Sequence, residues 1–228
     1  MSKKNFPAIN KFLITAVEQL ESEKTLGISL VEYAKTIVDR PENYAKIANS
    51  FAGHAVHLQN NIILRELRLW CVRVLEPKGN SLLNVSRRIS EYSNDLAEKL
   101  RRENPDWSEE SLGLANLPSK TRKLLDNVQK LSDDPALKPM KILRDEELAH
   151  LLRGVSAERR LHLVNSDKLN YSYNDVFRIA NQAVNLIREA IFIYRFQDHD
   201  DAGTRAIVRS YYESYWNLLP KFSDVEDR

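Results

Sequence analysis

The sequence predicts an all-α fold, built as an antiparallel helical bundle. Three observations carry this expectation. Glycine and proline are sparse, 6 and 8 among 228 residues, so the chain has few points at which a helix must stop. Apolar residues recur at alternating spacings of four and three, the repeat of one face of an α-helix. No convincing period-two alternation suggests a strand, and no fixed-period repeat is present.

The first helix is expected over residues 6–24, where Ile9, Phe12, Leu13, Ala16, Val17 and Leu20 share a face. Gly27 is expected to end it, and Ser29 to cap a short helix running to about Val38. Pro41 suits the first position of the next helix, where its missing N–H costs nothing. There Tyr44, Ala48, Phe51, Ala55, Leu58 and Ile62 make a heptad-like seam, and the run continues through Leu67 and Trp70 to Leu75. Pro77-Lys78-Gly79-Asn80 reads as a loop, and Ser81 as an N-cap.

Val85, Ile89, Tyr92, Leu96 and Leu100 give the following helix its stripe, and Asn104-Pro105-Asp106 stops it. Residues 105–118 look irregular; Ser119 then starts a short helix carrying Leu124, Val128 and Leu131. The next helix is expected from Pro139 to Leu152, with Gly154 to end it. After a polar, basic connection over 154–171, Ser172 caps a long helix with Asp175 as its third residue, the pattern of a capping box. Its stripe is Val176, Ile179, Ala180, Ala183, Ile187, Ala190, Ile191 and Tyr194. A last helix over roughly 203–219 is expected to bury Tyr211, Tyr215 and Leu218.

Composition bounds the rest. Charged residues at 29% and hydrophobic ones at 43% describe a folded chain, and a single helical domain over 1–228 is expected. The lone Cys71 rules out an intrachain disulfide and a Cys-rich zinc site; among Leu69, Trp70, Val72 and Val74 it is expected to be buried and inert. Without a long apolar run or a signal-peptide core, no membrane association and a cytoplasmic location are expected. A net charge of +2 does not argue for nucleic acid. Local basic clusters exist, at Arg65, Arg68 and Arg73, at Arg87 and Arg88, at Lys99, Arg101 and Arg102, at Lys120, Arg122 and Lys123, and at Arg159 and Arg160, each readable as a solvated helix face.

The chemistry-bearing signal is narrow. There is no Gly-rich phosphate loop, nucleophile elbow or His-Glu-x-x-His helix. His54 and His57 can share a helix face but lack a nearby carboxylate, a poor metal site, so no metal or cofactor is expected. The exception is Arg144-Asp145-Glu146-Glu147-Leu148-Ala149-His150, which pairs a permanent cation with the side chain that titrates near neutral pH. Histidine can take a proton from a ribose 2′-hydroxyl, and arginine can stabilise the charge that builds on phosphorus. On an ideal helix, however, residues 144 and 150 lie about 120° and about 9 Å apart. A site shared across a twofold axis resolves that separation. On spacing alone, a structural arginine held by a carboxylate and a histidine capping helix-end carbonyls is the favoured reading.

The stretch LRDEELAHLL, Leu143 to Leu152, resembles the signature of the HEPN superfamily, the higher eukaryotes and prokaryotes nucleotide-binding domain. That signature is an Arg, usually followed by Asp, Asn or His, and a His after four to six intervening residues. The upstream LRLWCVRVLEPKGNSLLNVSRRI, Leu67 to Ile89, and the downstream LNYSYNDVFRIANQAVNLI, Leu169 to Ile187, are similar to the abortive-infection AbiU branch. The resemblance spans roughly residues 45–195, a HEPN-like core with extra helices at either end.

The resemblance implies a bundle that dimerises around the motif helices and a metal-independent endoribonuclease, often in phage defence or a toxin–antitoxin system. It assigns catalysis to Arg144 and His150, with Asp145 as a polar helper. RNA, a second copy of the chain, and a cognate toxin or antitoxin are the partners it suggests. Related motifs often carry a basic residue where Glu146 and Glu147 stand here, and two carboxylates oppose a phosphate. Glu146 can also hold His150 from one turn earlier. The alternative is therefore a catalytically silent protein of the same fold that binds a protein or RNA, as some members do.

Overall fold

The computed structural model describes residues 6–39, 45, 47, 53–108, 110, 113–153, 171–198 and 200–219, with the backbone alone at 38 and 146–153. Expectations placed on Pro41, Tyr44, Ala48, Phe51, Gly154 and most of the connection over 154–171 fall outside these residues. Every regular element described is helical: α1 (Phe6–Val38), α2 (Gly53–Val74), α3 (Leu82–Glu91), α4 (Ser93–Glu103), a 3-10 turn at Leu114–Asn116, α5 (Leu117–Ser132), α6 (Leu137–Arg153), α7 (Tyr173–Arg195) and α8 (Asp201–Leu218). They cluster into two compact units, one from Met1–Lys24 and Cys71–Asp198, the other from Thr25–Trp70 and His199–Arg228. Among the described residues, no helix is long and apolar enough to cross a membrane.

In the first unit α3, α5 and α7 pack on one another, with α4 against α3 and α5. The stripe expected on α7 is the stripe observed: Val176, Ile179, Ala180, Ala183, Ile187, Ala190, Ile191 and Tyr194 are all buried. Its start is a complete capping box, the Ser172 hydroxyl accepting from the Asp175 N–H at 3.2 Å and the Asp175 carboxylate from the Ser172 N–H at 2.9 Å. Ser81 likewise caps α3, accepting from the Asn84 N–H at 3.3 Å. Cys71 is fully buried, its thiol directed at the Val176 carbonyl at 3.8 Å, and burial pushes its pKa far up, which keeps it protonated and unreactive.

The single helix expected after Ser81 is two helices, broken at Tyr92 (φ −113°, ψ 27°). No glycine or proline announces the break. Its effect is to re-aim the chain so that Leu96 and Leu100 stay buried while Tyr92 turns partly outward, its ring centroid 6.2 Å from that of Phe6. The helix expected from Ser119 begins two residues earlier at Leu117, which is itself buried, with Pro118 in the first turn.

The second unit holds three corrections. α1 runs unbroken through Gly27, so this glycine is not a stop. A Cβ there would lie 2.4 Å from Cζ2 of the fully buried Trp70, and the absent side chain is what lets the indole rest on the helix. Along α2 the expected seam is wrong in phase. Ala55, Leu58 and Ile62 are exposed, whereas Val56, Asn60, Leu67, Trp70 and Val74 are buried and Ile63 is partly buried. A polar residue hides the true stripe, because Asn60 sits in it to accept a hydrogen bond from the Tyr33 hydroxyl at 2.9 Å. On α8 Tyr211 and Leu218 are 70% and 85% exposed, and Trp216 takes the buried place, its indole N–H donating to Thr36 Oγ1 at 2.8 Å. Tyr33, Ile47, Val56 and Trp216 form one core cluster of this unit, with Tyr212 and Tyr215 packed against it.

Candidate functional site

The motif helix α6 is anchored before it begins. Asp134 Oδ1 accepts from the Ala136 N–H at 3.0 Å, so its carboxylate shapes the turn entering the helix. The same carboxylate receives a fork from Arg178 of α7, at 2.7 and 3.2 Å. The hydrogen bonds from Arg178 hold the Asp134 carboxyl below the usual carboxylate range, against a smaller opposing effect of burial. Leu137, Met140 and Leu143 then bury one side of the first two turns, and Lys141 Nζ donates to the Ser132 carbonyl at 3.4 Å.

Arg144 follows at the edge of this buried face. Its Nε and Nη2 donate to Asp145 Oδ1 at 2.9 and 2.7 Å, and its Nη1 donates to Glu76 Oε1. The side chain is 22% exposed, so both ion pairs remain within reach of solvent. Burial acts to lower the guanidinium pKa, but the bonds and charges of Asp145 and Glu76 outweigh it and hold the pKa above the ordinary arginine value. Of the five N–H groups, three are used by described partners, which leaves two by count for a further acceptor.

Of the three residues expected to form a site, Arg144 and Asp145 are in contact. His150 lies on the same continuous helix, and its side chain is outside the described residues. The backbone retains the separation of residues 144 and 150, about 9 Å along the axis and about 120° around it. No local pattern in the sequence marks Glu76. It stands between Leu75 and Pro77, within the upstream stretch that carries the resemblance, and no spacing rule links it to a residue 68 positions away.

Several basic clusters are matched by carboxylates: Arg73 on Glu23 at 2.9 Å, Arg88 on Glu91 at 3.2 Å, Lys99 on Glu103 at 3.5 Å and Arg122 on Asp126 at 3.6 Å. Among the described residues, no group of three His, Cys, Asp or Glu is placed to hold a metal ion.

Helices throughout the described residues and an Arg-Asp…His motif on one of them are what a HEPN-type protein would show. A family model described as AbiU2, of HEPN type, matches residues 13–213, reaching further at both ends than the stretch on which the motifs carry the resemblance. The chain belongs to this HEPN AbiU2 family. Comparisons with curated proteins and with solved structures gave no match.

Proposed function

We propose that this AbiU2-family protein is a homodimeric, metal-independent endoribonuclease acting in phage defence or a toxin–antitoxin system. The observation that supports this best is the state of Arg144. Its guanidinium is held in one plane beside Asp145 on the motif helix, partly solvent-exposed, with N–H groups to spare for phosphate oxygens. In the reaction the ribose 2′-oxygen bonds to phosphorus and the P–O5′ bond breaks. His150 takes the 2′-hydroxyl proton, Arg144 stabilises the charge on the phosphorane, and the leaving 5′-oxygen takes a proton from water. The products are a 2′,3′-cyclic phosphate and a 5′-hydroxyl.

A second reading has its own observation. Glu76 and Asp145 both sit on Arg144, which suits a silent member of the family that uses the fold to bind a cognate toxin, antitoxin or RNA. Incubating the purified protein with RNA in the presence of a chelator separates the two. Cyclic-phosphate ends support the nuclease. Intact RNA at high protein concentration supports the binder, and 3′-hydroxyl ends that need added magnesium overturn the proposed chemistry.

A further inference from the structure

We infer that Glu76 is a positioning residue for Arg144, a carboxylate gate that occupies the guanidinium until a phosphate group displaces it. The inference rests on the ribonuclease reading for its purpose but not for its test. Asp145 engages the Nε edge of the guanidinium, and Glu76 engages Nη1. A phosphate gripped end-on by both terminal nitrogens needs Nη1, the nitrogen that Glu76 holds. Nη1 has a second N–H, so phosphate and Glu76 are not rivals for a single donor; they are two anions drawn to one nitrogen, where like charges oppose each other, while Asp145 can keep the plane fixed in either state.

The surroundings allow that exchange. Glu76 is 37% exposed and Arg144 22%, so the pair can open without taking a charge out of a sealed interior. Glu76 also lines a cavity of about 200 Å³ together with Arg73, Lys78 and Asn80. Glu23 lines the same cavity and already takes Arg73 at 2.9 Å, so a displaced carboxylate has room there and the Lys78 ammonium on the cavity wall. Its position supports movement too: Glu76 follows the end of α2 and precedes Pro77, outside any helix.

The test follows the Arg144 Nε–H signal by nitrogen-15 NMR in the full chain, assigned by its loss in Arg144→Lys, while inorganic phosphate is added. Glu76→Gln should shift this signal before any addition and tighten phosphate binding about fivefold, the size an exposed ion pair allows. Glu76→Asp, which keeps the charge, should stay near the wild-type affinity. With a 2′-O-methyl RNA, which cannot undergo 2′-oxygen attack, Glu76→Gln should tighten binding by a similar factor, and the gain should vanish in an Arg144→Ala background. In cleavage assays it should lower KM more than it changes kcat. A residue that only supports the fold would lower Tm and leave phosphate affinity where it was. An unmoved Arg144 signal with unchanged phosphate affinity in Glu76→Gln overturns the inference. Failure of every variant to bind the RNA overturns the ribonuclease reading instead, and the phosphate titration still decides the role of Glu76.

Discussion

At the residue scale the proposed chemistry rests on two side chains of unlike kind. His150→Ala removes the only group in the motif suited to proton transfer near neutral pH, a loss that typically costs 10²- to 10⁴-fold in rate. Arg144→Ala should be comparably severe, and Arg144→Lys should recover only part, because an ammonium lacks the planar fork. All three variants should keep the helical circular dichroism of the parent, and chelator should leave the parent rate unchanged. Full cleavage by a folded His150→Ala protein would discard the mechanism. The motif was legible because it pairs a permanent cation with the side chain that titrates near neutral pH, between stretches similar to the AbiU branch. Glu76 was illegible because an ion pair between distant residues leaves no mark in local pattern; only the fold brings the end of α2 to the motif helix.

Packing geometry and a charged anchor set what can be predicted at the element scale. Gly27→Ala places a methyl inside the Trp70 ring, where a buried indole has nowhere to go. We expect a loss of about 1–3 kcal/mol in urea unfolding, the usual range for overpacking. Trp70→Leu in the same chain should make the Gly27→Ala change cheaper, since the two share one contact. Equal cost in both backgrounds would show that the glycine matters for another reason.

The anchor of α6 gives a pH prediction. The Asp134 pKa is lowered in the fold, chiefly by hydrogen bonds from Arg178. Its stabilising contribution is therefore present above the unfolded carboxylate pKa of about 3.9 and is lost as pH falls through the folded value. Arg178 is 42% exposed, so the pair contributes about 0.2–1 kcal/mol. Asp134→Asn should cost about that much at pH 7, and its curve should meet the parent curve as the medium is acidified through the lowered pKa of the folded carboxyl. A gap that persists or widens in acid would mean that the carboxylate charge is not what anchors the helix.

At the scale of the whole molecule the motif asks for a second copy. Residues 144 and 150 are separated by about 120° on one continuous helix, and two helices meeting across a twofold axis can present both residues to one phosphate. Light scattering should therefore report a dimer, with α6 protected from hydrogen exchange upon association. A monomer at concentrations of tens of micromolar, where interfaces of ordinary affinity are saturated, would count against the shared site.

What the sequence determined by itself is the class of structure and its best-patterned parts. Sparse breakers and four-three spacing imply helices throughout. Ser172 with Asp175, and Ser81, mark helix starts because capping is a local exchange of hydrogen bonds between residues three apart. The α7 stripe is readable because it is one broad apolar face that fills the first unit's core. Tertiary structure decided the rest wherever two choices were locally equal. α2 carries two interleaved apolar stripes, and the packing of Tyr33 on Asn60 selects the one that pattern disfavours. α8 carries the neighbours Tyr211 and Tyr212, then Tyr215 and Trp216, and the Thr36 acceptor selects Trp216. Gly27 can stop a helix or admit a ring, and Trp70 settles which. Arg144 is a cation in any reading and Asp145 is its neighbour in sequence; the Glu76 carboxylate is a property of the folded chain, because Coulombic pairing depends on distance in space and not on distance along the sequence.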